Sequence, residues 1–169
     1  MIRKLVGRIF GFDVEIAHLE RKVKDLGWDQ CFGMFTRPAF IEICRMQPRI
    51  TRAVAFLDFD RIHELNHNVG YEEVNRRIRD LFSGSLRKSD LVGRHFSGDE
   101  IVIVLDTDDR AIAMKVLEGL LARARKNGLS FTYALGLWGK DEPLQEVTDR
   151  LGEKVLAQKR AMRQVAVQV

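Results

Sequence analysis

The chain has 169 residues, 46% of them hydrophobic, which is enough for the core of one domain plus a modest appendage. Its 28 basic and 24 acidic residues give a net charge of +4, which suits an anionic ligand but does not indicate a nucleic-acid polymer as partner. Cys31 and Cys44 lack the spacing of a zinc site, and no apolar run reaches the ~18 residues of a membrane span. We therefore expect a reduced, cytoplasmic protein without a signal peptide or membrane anchor.

Residues 1–27 are predicted to form an amphipathic helix, because apolar residues recur there at a spacing of three and four. These are Ile2, Leu5, Ile9, Phe12, Ile16, Leu19, Val23 and Leu26. This spacing is that of an a/d seam, and it favours a coiled-coil homodimer. One alternative is a helix packed on its own domain, whose early turns Gly7 and Gly11 would weaken. A helix lying on a membrane is the other, and the acidic residues in its second half disfavour it.

Residues 28–169 are predicted to form one globular domain after a boundary near Gly27. The segment Thr36-Arg37-Pro38 is typical of an N-cap followed by a proline in the first helical turn, and the helix should end near Pro48. The apolar run Val54–Leu57 predicts a buried strand that carries Asp58 at its carboxyl end, where ligands of open α/β sheets bind. A second helix is predicted after Gly70 from apolar residues at helical spacing.

The turn Ser97-Gly98-Asp99-Glu100 is flanked by the apolar segments 91–96 and 101–105, which together predict a hairpin. Further along, the pattern predicts a helix over 108–126, a strand over 131–138, a helix over 143–163 and a possible terminal strand over 165–169. This alternation implies an α/β or α+β domain with helices packed on a central sheet. The two acids of the turn, together with Asp58, could hold a divalent metal, although such a turn needs no function.

Five blocks occur in order between residues 29 and 163: DQCFGMFTRPAF (29–40), DFDRIHELNHNVGYEEVN (58–75), RKSD (87–90), SGDEI (97–101) and the pair Lys159 and Arg163. Together they resemble the GGDEF family of diguanylate cyclases. The first is similar to D-x-L-T-G-L-x-N-R-x-x-F, and the second to D-x-D-x-F-K-x-x-N-D-x-x-G-H-x-x-G-D. The resemblance implies a nucleotidyl-cyclase-like domain with a central, mainly antiparallel sheet surrounded by helices.

The resemblance also implies an activity, in which two GTP molecules are condensed into cyclic di-GMP and pyrophosphate by a homodimer that serves bacterial second-messenger signalling. Positioning and charge neutralisation provide most of the catalysis in such phosphoryl transfers. The catalytic residues would be Asp58, Asp99 and Glu100. The same three, with the backbone carbonyl of Phe59, would hold Mg²⁺ or Mn²⁺, two ions per active site. Glu100 would either bind metal or activate the attacking hydroxyl.

Further site residues follow from the resemblance. Those implied to bind substrate are Asn66, Asn75, His63, Ser97, Gly98, Lys159 and Arg163, the last two contacting phosphate from one helix face. Arg87 and Asp90 match an R-x-x-D pair that binds cyclic di-GMP and inhibits the enzyme, and the alternative is a solvated charge pair at a helix end. For Lys159 and Arg163 the alternative is an exposed helix face.

Several residues depart from the family pattern: Thr36, Ser97 and Ile101 replace the family's Asn, Gly and Phe, and two further departures bear on activity and base choice. His63 stands where the family has Lys, so a permanent charge becomes one that titrates near neutrality. Asn75 stands where the family's Asp contacts guanine, and its amide can pair with adenine instead. These changes leave two further hypotheses, a non-catalytic receptor of GTP or cyclic dinucleotide and a cyclase whose product contains adenine.

Overall fold

The structure is a computed structural model that describes residues 27–95 and 99–167, with side chains as far as Gln164. The predicted N-terminal helix over residues 1–27 lies outside the described residues except for Gly27, as do Ser97 and Gly98. Among the described residues, no helix combines the length and the apolar character needed to cross a bilayer.

One sheet of six strands forms the centre of the domain, in the spatial order β1-β2-β4-β5-β3-β6. Every pair of neighbours is antiparallel except β2 and β4. The predicted central, mainly antiparallel sheet is therefore confirmed. The strands are β1 (Trp28–Asp29), β2 (Met34–Phe35), β3 (Arg52–Phe59), β4 (Leu91–Arg94), β5 (Glu100–Leu105) and β6 (Phe131–Trp138).

Within the described residues, the two faces of this sheet are covered by five helices: α1 (Arg37–Met46), α2 (Ile62–Val69), α3 (Tyr71–Phe82), α4 (Arg110–Lys126) and α5 (Leu144–Val167). Successive residues of a strand face opposite sides of a sheet. Ala55 and Leu57 of β3 therefore pack with α3 and α4, whereas Val54 and Phe56 pack with α1 and α5. By the same alternation, Asp58 at the end of β3 belongs to the α5 side.

Most predicted elements are present at the expected places. The strand over 131–138 and the hairpin of β4 and β5 match their predictions, and α1 begins directly after Thr36 and ends before Pro48. The possible terminal strand over 165–169 is wrong, because residues 165–167 continue α5. Extending an existing helix adds one hydrogen bond for each residue fixed, which the isolated strand would have lacked.

Helix α2 was not predicted. None of its eight residues is fully buried, and only Ile62 and Leu65 pack partly against the core, so the apolar pattern is short. The helix begins after Arg61, which has φ of 55° and is the sole non-glycine residue with positive φ in the described part of the chain. A left-handed residue of this kind costs free energy and is often found beside a functional site.

Candidate functional site

The backbone positions of four predicted metal ligands lie near one another at the carboxyl end of β3. Asp58 and Glu100 are directly opposite each other in the antiparallel pair of β3 and β5, so their side chains share the α5 side of the sheet. The backbone N–H of Phe59 donates a 3.0 Å hydrogen bond to the carbonyl of Asp99. The register of two central strands therefore places Asp58, Phe59, Asp99 and Glu100 together.

Lys159 of α5 contacts two members of this group, Asp58 and Phe59, and also Asp60. Its Nζ is 2.7 Å from Oδ1 of Asp58 and 3.1 Å from Oδ1 of Asp60, and it donates a 3.0 Å hydrogen bond to the carbonyl oxygen of Phe59. The lysine side chain is only 14% exposed. Three hard oxygen atoms thus surround one cationic atom, which is the donor chemistry that Mg²⁺ also requires.

Acidic side chains alone do not complete a metal site here. Within residues 27–95 and 99–164, no three side chains of His, Cys, Asp or Glu converge in an arrangement that could hold a metal ion. The oxygen donors around Lys159 instead combine two carboxylates with a backbone carbonyl. Such a mixture fits Mg²⁺, which is commonly held by one or two carboxylates and completes its shell with water and phosphate.

The Asp58 carboxyl has a raised pKa, mainly because it is partly buried. Burial raises the pKa of the Asp58 carboxyl above its ordinary value, and the hydrogen bond and charge of Lys159 act against this rise. The negative charges of Asp99 and Glu100 raise the pKa further. A cation placed among these groups is therefore stabilised by each of them.

Asp60 is fixed by the neighbouring strand. Its carboxylate accepts 2.9 Å hydrogen bonds from the hydroxyls of Ser130, which directly precedes β6, and Thr132, the second residue of β6. Its backbone N–H donates to the carbonyl of Ser130 at 2.8 Å. These contacts hold the loop that leads from β3 through Arg61 into α2, so the oxygen atoms around Lys159 have little freedom to move.

The predicted base-contacting residues lie on α2 and α3. Asn66 is half-buried, and its Oδ1 is a buried oxygen without a hydrogen-bond partner among the described residues. Asn75 is also half-buried, whereas His63 is exposed. Arg163, the predicted phosphate contact one turn beyond Lys159, is exposed as well. An unpaired buried amide oxygen is costly, which makes Asn66 a suitable acceptor for an N–H group of a ligand.

The R-x-x-D pair forms a turn rather than a helix end. Oδ2 of Asp90 accepts a 2.8 Å hydrogen bond from the backbone N–H of Arg87, and Oδ1 accepts one of 2.9 Å from the backbone N–H of Asp106. The side chain of Arg87 is exposed. Asp90 therefore shapes the turn before β4, while the guanidinium of Arg87 is accessible to an anion.

Two contacts beside the acids were not expected from the sequence. Asp29 forms a 2.5 Å ion pair with Arg94, whose guanidinium lies 4.5 Å from the centroid of the Phe32 ring. Nδ1 of His95 is 3.5 Å from Oε2 of Glu100, and burial lowers the pKa of this histidine. Asp29 matches the family pattern in the first sequence block, and this match was the one sequence signal for its contact with Arg94. Nothing in the sequence indicated the contact of His95 with Glu100.

Comparisons with known proteins identify the fold. No family model matches the chain, and no curated protein matches it. Among solved structures, the coiled coil and GGDEF domain of DgcB from Caulobacter crescentus in complex with c-di-GMP is 16% identical, with a TM-score of 0.71 over 94% of this chain and 93% of that one.

Two Pseudomonas aeruginosa structures are also similar. Diguanylate cyclase SiaD in complex with its activator SiaC is 19% identical, with a TM-score of 0.68 over 94% of this chain and 71% of that one. The GGDEF domain of PA1120 is 22% identical, with a TM-score of 0.61 over 79% of this chain and 89% of that one. The chain therefore has the fold of GGDEF domains, as the sequence predicted.

Proposed function

We propose that this chain of GGDEF-domain fold is a diguanylate cyclase, which condenses two GTP molecules into cyclic di-GMP and pyrophosphate in the cytoplasm. The observation that carries this proposal is the convergence of Asp58, the carbonyl of Phe59 and Lys159 at the strand end that also bears Asp99 and Glu100. Acids at this position would hold divalent cations, and these, with Lys159, would provide the charge neutralisation on which phosphoryl transfer depends.

Asp58, Asp99, Glu100 and the Phe59 carbonyl would hold Mg²⁺ or Mn²⁺, two ions per active site. When bound, these ions neutralise phosphate charge and favour ionisation of the attacking 3′-hydroxyl. Lys159 and Arg163 stand one turn apart on α5, so both can contact the triphosphate from one side. Ser97 and Gly98 are small, which lets the backbone of the turn approach the nucleotide.

The reaction joins two nucleotides symmetrically, which suits a homodimer in which each subunit holds one GTP. The amphipathic residues 1–27 would form the coiled coil that brings the two half-sites together. A monomeric chain would leave each nucleotide without its reaction partner. Dimerisation is therefore part of the proposed mechanism and not only of its regulation.

The base would be bound by Asn66 and Asn75, with His63 close to the phosphates. Oδ1 of Asn66, which has no hydrogen-bond partner among the described residues, can accept a hydrogen bond from an N–H group of the ligand, and guanine has such groups. Asn75 offers one acceptor and one donor, whereas a carboxylate would accept from both guanine N–H groups. A cyclase that also accepts ATP and makes an adenine-containing product is therefore the second candidate.

A receptor without turnover is the third candidate. It is favoured by the exposed guanidinium of Arg87 beside the turn that Asp90 holds. The DgcB and other GGDEF-domain structures in complex with cyclic di-GMP show that this fold can bind the dinucleotide. In this case Arg87 and Asp90 would bind cyclic di-GMP as the signal, and in the cyclase they would bind it as an inhibitory product.

The test is an incubation of purified protein with Mg²⁺ and GTP, with ATP, and with both, followed by mass measurement of the products. Cyclic di-GMP from GTP is the expected result, and Asp99→Ala should abolish it. Asp108→Asn, a change at an exposed carboxylate away from the site, should leave the rate unchanged. If GTP stays intact after long incubation at several pH values and the protein binds cyclic di-GMP, the cyclase hypothesis is wrong and the receptor hypothesis is favoured.

A further inference from the structure

Lys159 uses its whole hydrogen-bonding capacity at the acid cluster. An ammonium group has three N–H donors, and three oxygen atoms lie within 3.1 Å of this one, from Asp58, Phe59 and Asp60. Two of these oxygens, those of Asp58 and Phe59, belong to the proposed metal ligands. The lysine therefore stands at the point where a divalent cation would have to bind.

We propose that Lys159 is an internal counter-ion that occupies the metal position and must leave it before a divalent cation can bind, so that metal entry is coupled to arrival of the nucleotide phosphates. The identity of the metal position rests on the proposed function, whereas the occupancy of that position by Lys159 is a property of the fold.

The two cations exclude each other for geometric and electrostatic reasons. Mg²⁺ requires oxygen ligands at 2.0–2.1 Å, so an ion bound to the same oxygens would lie within a few ångströms of Nζ. A divalent ion and an ammonium group at such a short separation repel each other strongly. Sharing of Asp58 and Phe59 by Lys159 and a divalent ion is therefore excluded.

The helix allows the lysine to move without unfolding the site. Leu151 and Val155 anchor α5 in the core, because both are buried against β3 and its neighbours. The side chain of Lys159 is a flexible four-carbon chain with a compact charge, so its tip can turn away from the carboxylates while the backbone stays in place. A triphosphate offers it an equivalent anion, which replaces the lost ion pairs with Asp58 and Asp60.

Metal binding to the nucleotide-free protein tests this inference. Free Mn²⁺ is measured by electron paramagnetic resonance during titration of the wild type, Lys159→Met and Lys154→Met. Lys154 is an exposed lysine on the same helix, so its substitution removes the same charge away from the acids. We expect Lys159→Met to bind Mn²⁺ at least about tenfold more tightly than the wild type, and Lys154→Met to match the wild type.

A thermal measurement provides an independent readout. Lys159→Met should start from a lower Tm because its acids repel each other, and Mn²⁺ should raise its Tm more than that of the wild type. If the methionine variant does not fold, Lys159→Gln, which keeps an N–H donor for Asp58, provides the same comparison.

Two results would overturn the inference. One is an Mn²⁺ affinity of the Lys159 variants that is equal to or weaker than that of the wild type. The other is a nucleotide-free wild type that already binds Mn²⁺ at low micromolar concentration. Both measurements are made without nucleotide, so absence of cyclase activity would not affect them. An active cyclase whose Lys159 variants bind Mn²⁺ no more tightly would disprove this inference alone.

Discussion

The two halves of the candidate site are built on different kinds of structure. The acids Asp58 and Glu100 stand on β3 and β5, in the middle of a six-stranded sheet, where β3 is hydrogen-bonded on both sides. The residues proposed to contact the base stand on helices, Asn66 on α2 and Asn75 on α3. Helix α2 has eight residues, none fully buried, and begins after Arg61, which has positive φ. The sheet thus carries the proposed metal ligands, whereas a less tightly packed helix carries part of the proposed recognition.

The departures that bear on activity and base choice lie on the helices. His63 lies on α2 and Asn75 on α3, whereas Asp58, Asp99 and Glu100 on the strand side are kept. Substitution of an exposed residue such as His63 costs little stability, while changes at the end of a buried strand disturb several contacts at once. Under the proposed function, selectivity would therefore change without loss of the proposed metal ligands.

The strand half should be the more sensitive of the two to substitution. Asp58→Asn removes the charge that faces Lys159 and the proposed metals, and we expect a decrease in kcat of about 10³-fold or more. The amide is nearly isosteric, so the fold should remain. The measurement is the rate of cyclic di-GMP formation from GTP, with Asp108→Asn as the control, and a decrease below tenfold would contradict the central place of Asp58.

The rigidity of the strand half depends on a close approach at Gly93. A Cβ added there would lie 2.5 Å from Cβ of Phe40 on α1, closer than side chains pack. We expect Gly93→Ala to lower the free energy of unfolding by about 1–3 kcal/mol and to reduce activity with it. Urea denaturation measures the first effect.

Gly119→Ala is the matched control for this substitution. Gly119 lies inside α4, and a Cβ there would meet nothing within 4 Å. The alanine should raise the free energy of unfolding by about 0.5–1 kcal/mol, because glycine is a poor helix residue. If Gly93→Ala proved as stable as Gly119→Ala, α1 would not hold the strand that leads to the acids.

Base recognition should respond to Asn75 with a smaller and more selective effect. Asn75→Asp gives guanine two acceptors, and we expect the ratio of kcat/KM for GTP over ATP to rise about tenfold, with little change in stability. Asn68→Asp adds the same charge on the exposed surface of α2 and should leave the ratio unchanged. A parallel change in both variants would assign the effect to net charge instead of base contact.

The sequence predicted the buried half of the molecule better than the exposed half. Strands β3 and β6 are rich in apolar residues, because both faces of the sheet are covered, and such stretches are visible in one sequence. Helix α2 has no fully buried residue and packs only Ile62 and Leu65 partly against the core, so its residues are under a weaker packing constraint.

The same division holds for the candidate site. The resemblance placed Lys159 near phosphate, but its contact with Phe59 spans 100 residues of chain and depends on how α5 crosses the sheet. The contact of His95 with Glu100 depends equally on side-chain directions around the hairpin. Residue types and spacing indicate which groups a site contains, whereas their pairing is decided by tertiary packing.

The smallest expected effect is on the pH dependence of stability, and it depends on His95, which lies beside Glu100. Burial lowers the pKa of this histidine, so below about pH 6.5 the unfolded chain takes up a proton that the folded protein resists, and stability falls as the pH falls. Phenylalanine can keep the edge contact with Phe56, whose ring centroid lies 5.0 Å from that of His95.

His95→Phe should therefore lose less stability than the wild type between pH 7.5 and 5.5, by less than the ~1.4 kcal/mol per pH unit that one whole proton would give. The free energies of unfolding in urea at four pH values provide the two slopes. Equal slopes would mean that the imidazole is protonated as easily in the folded protein as in the unfolded chain. The ring of His95 would then have access to water, as the exposed residues of α2 do.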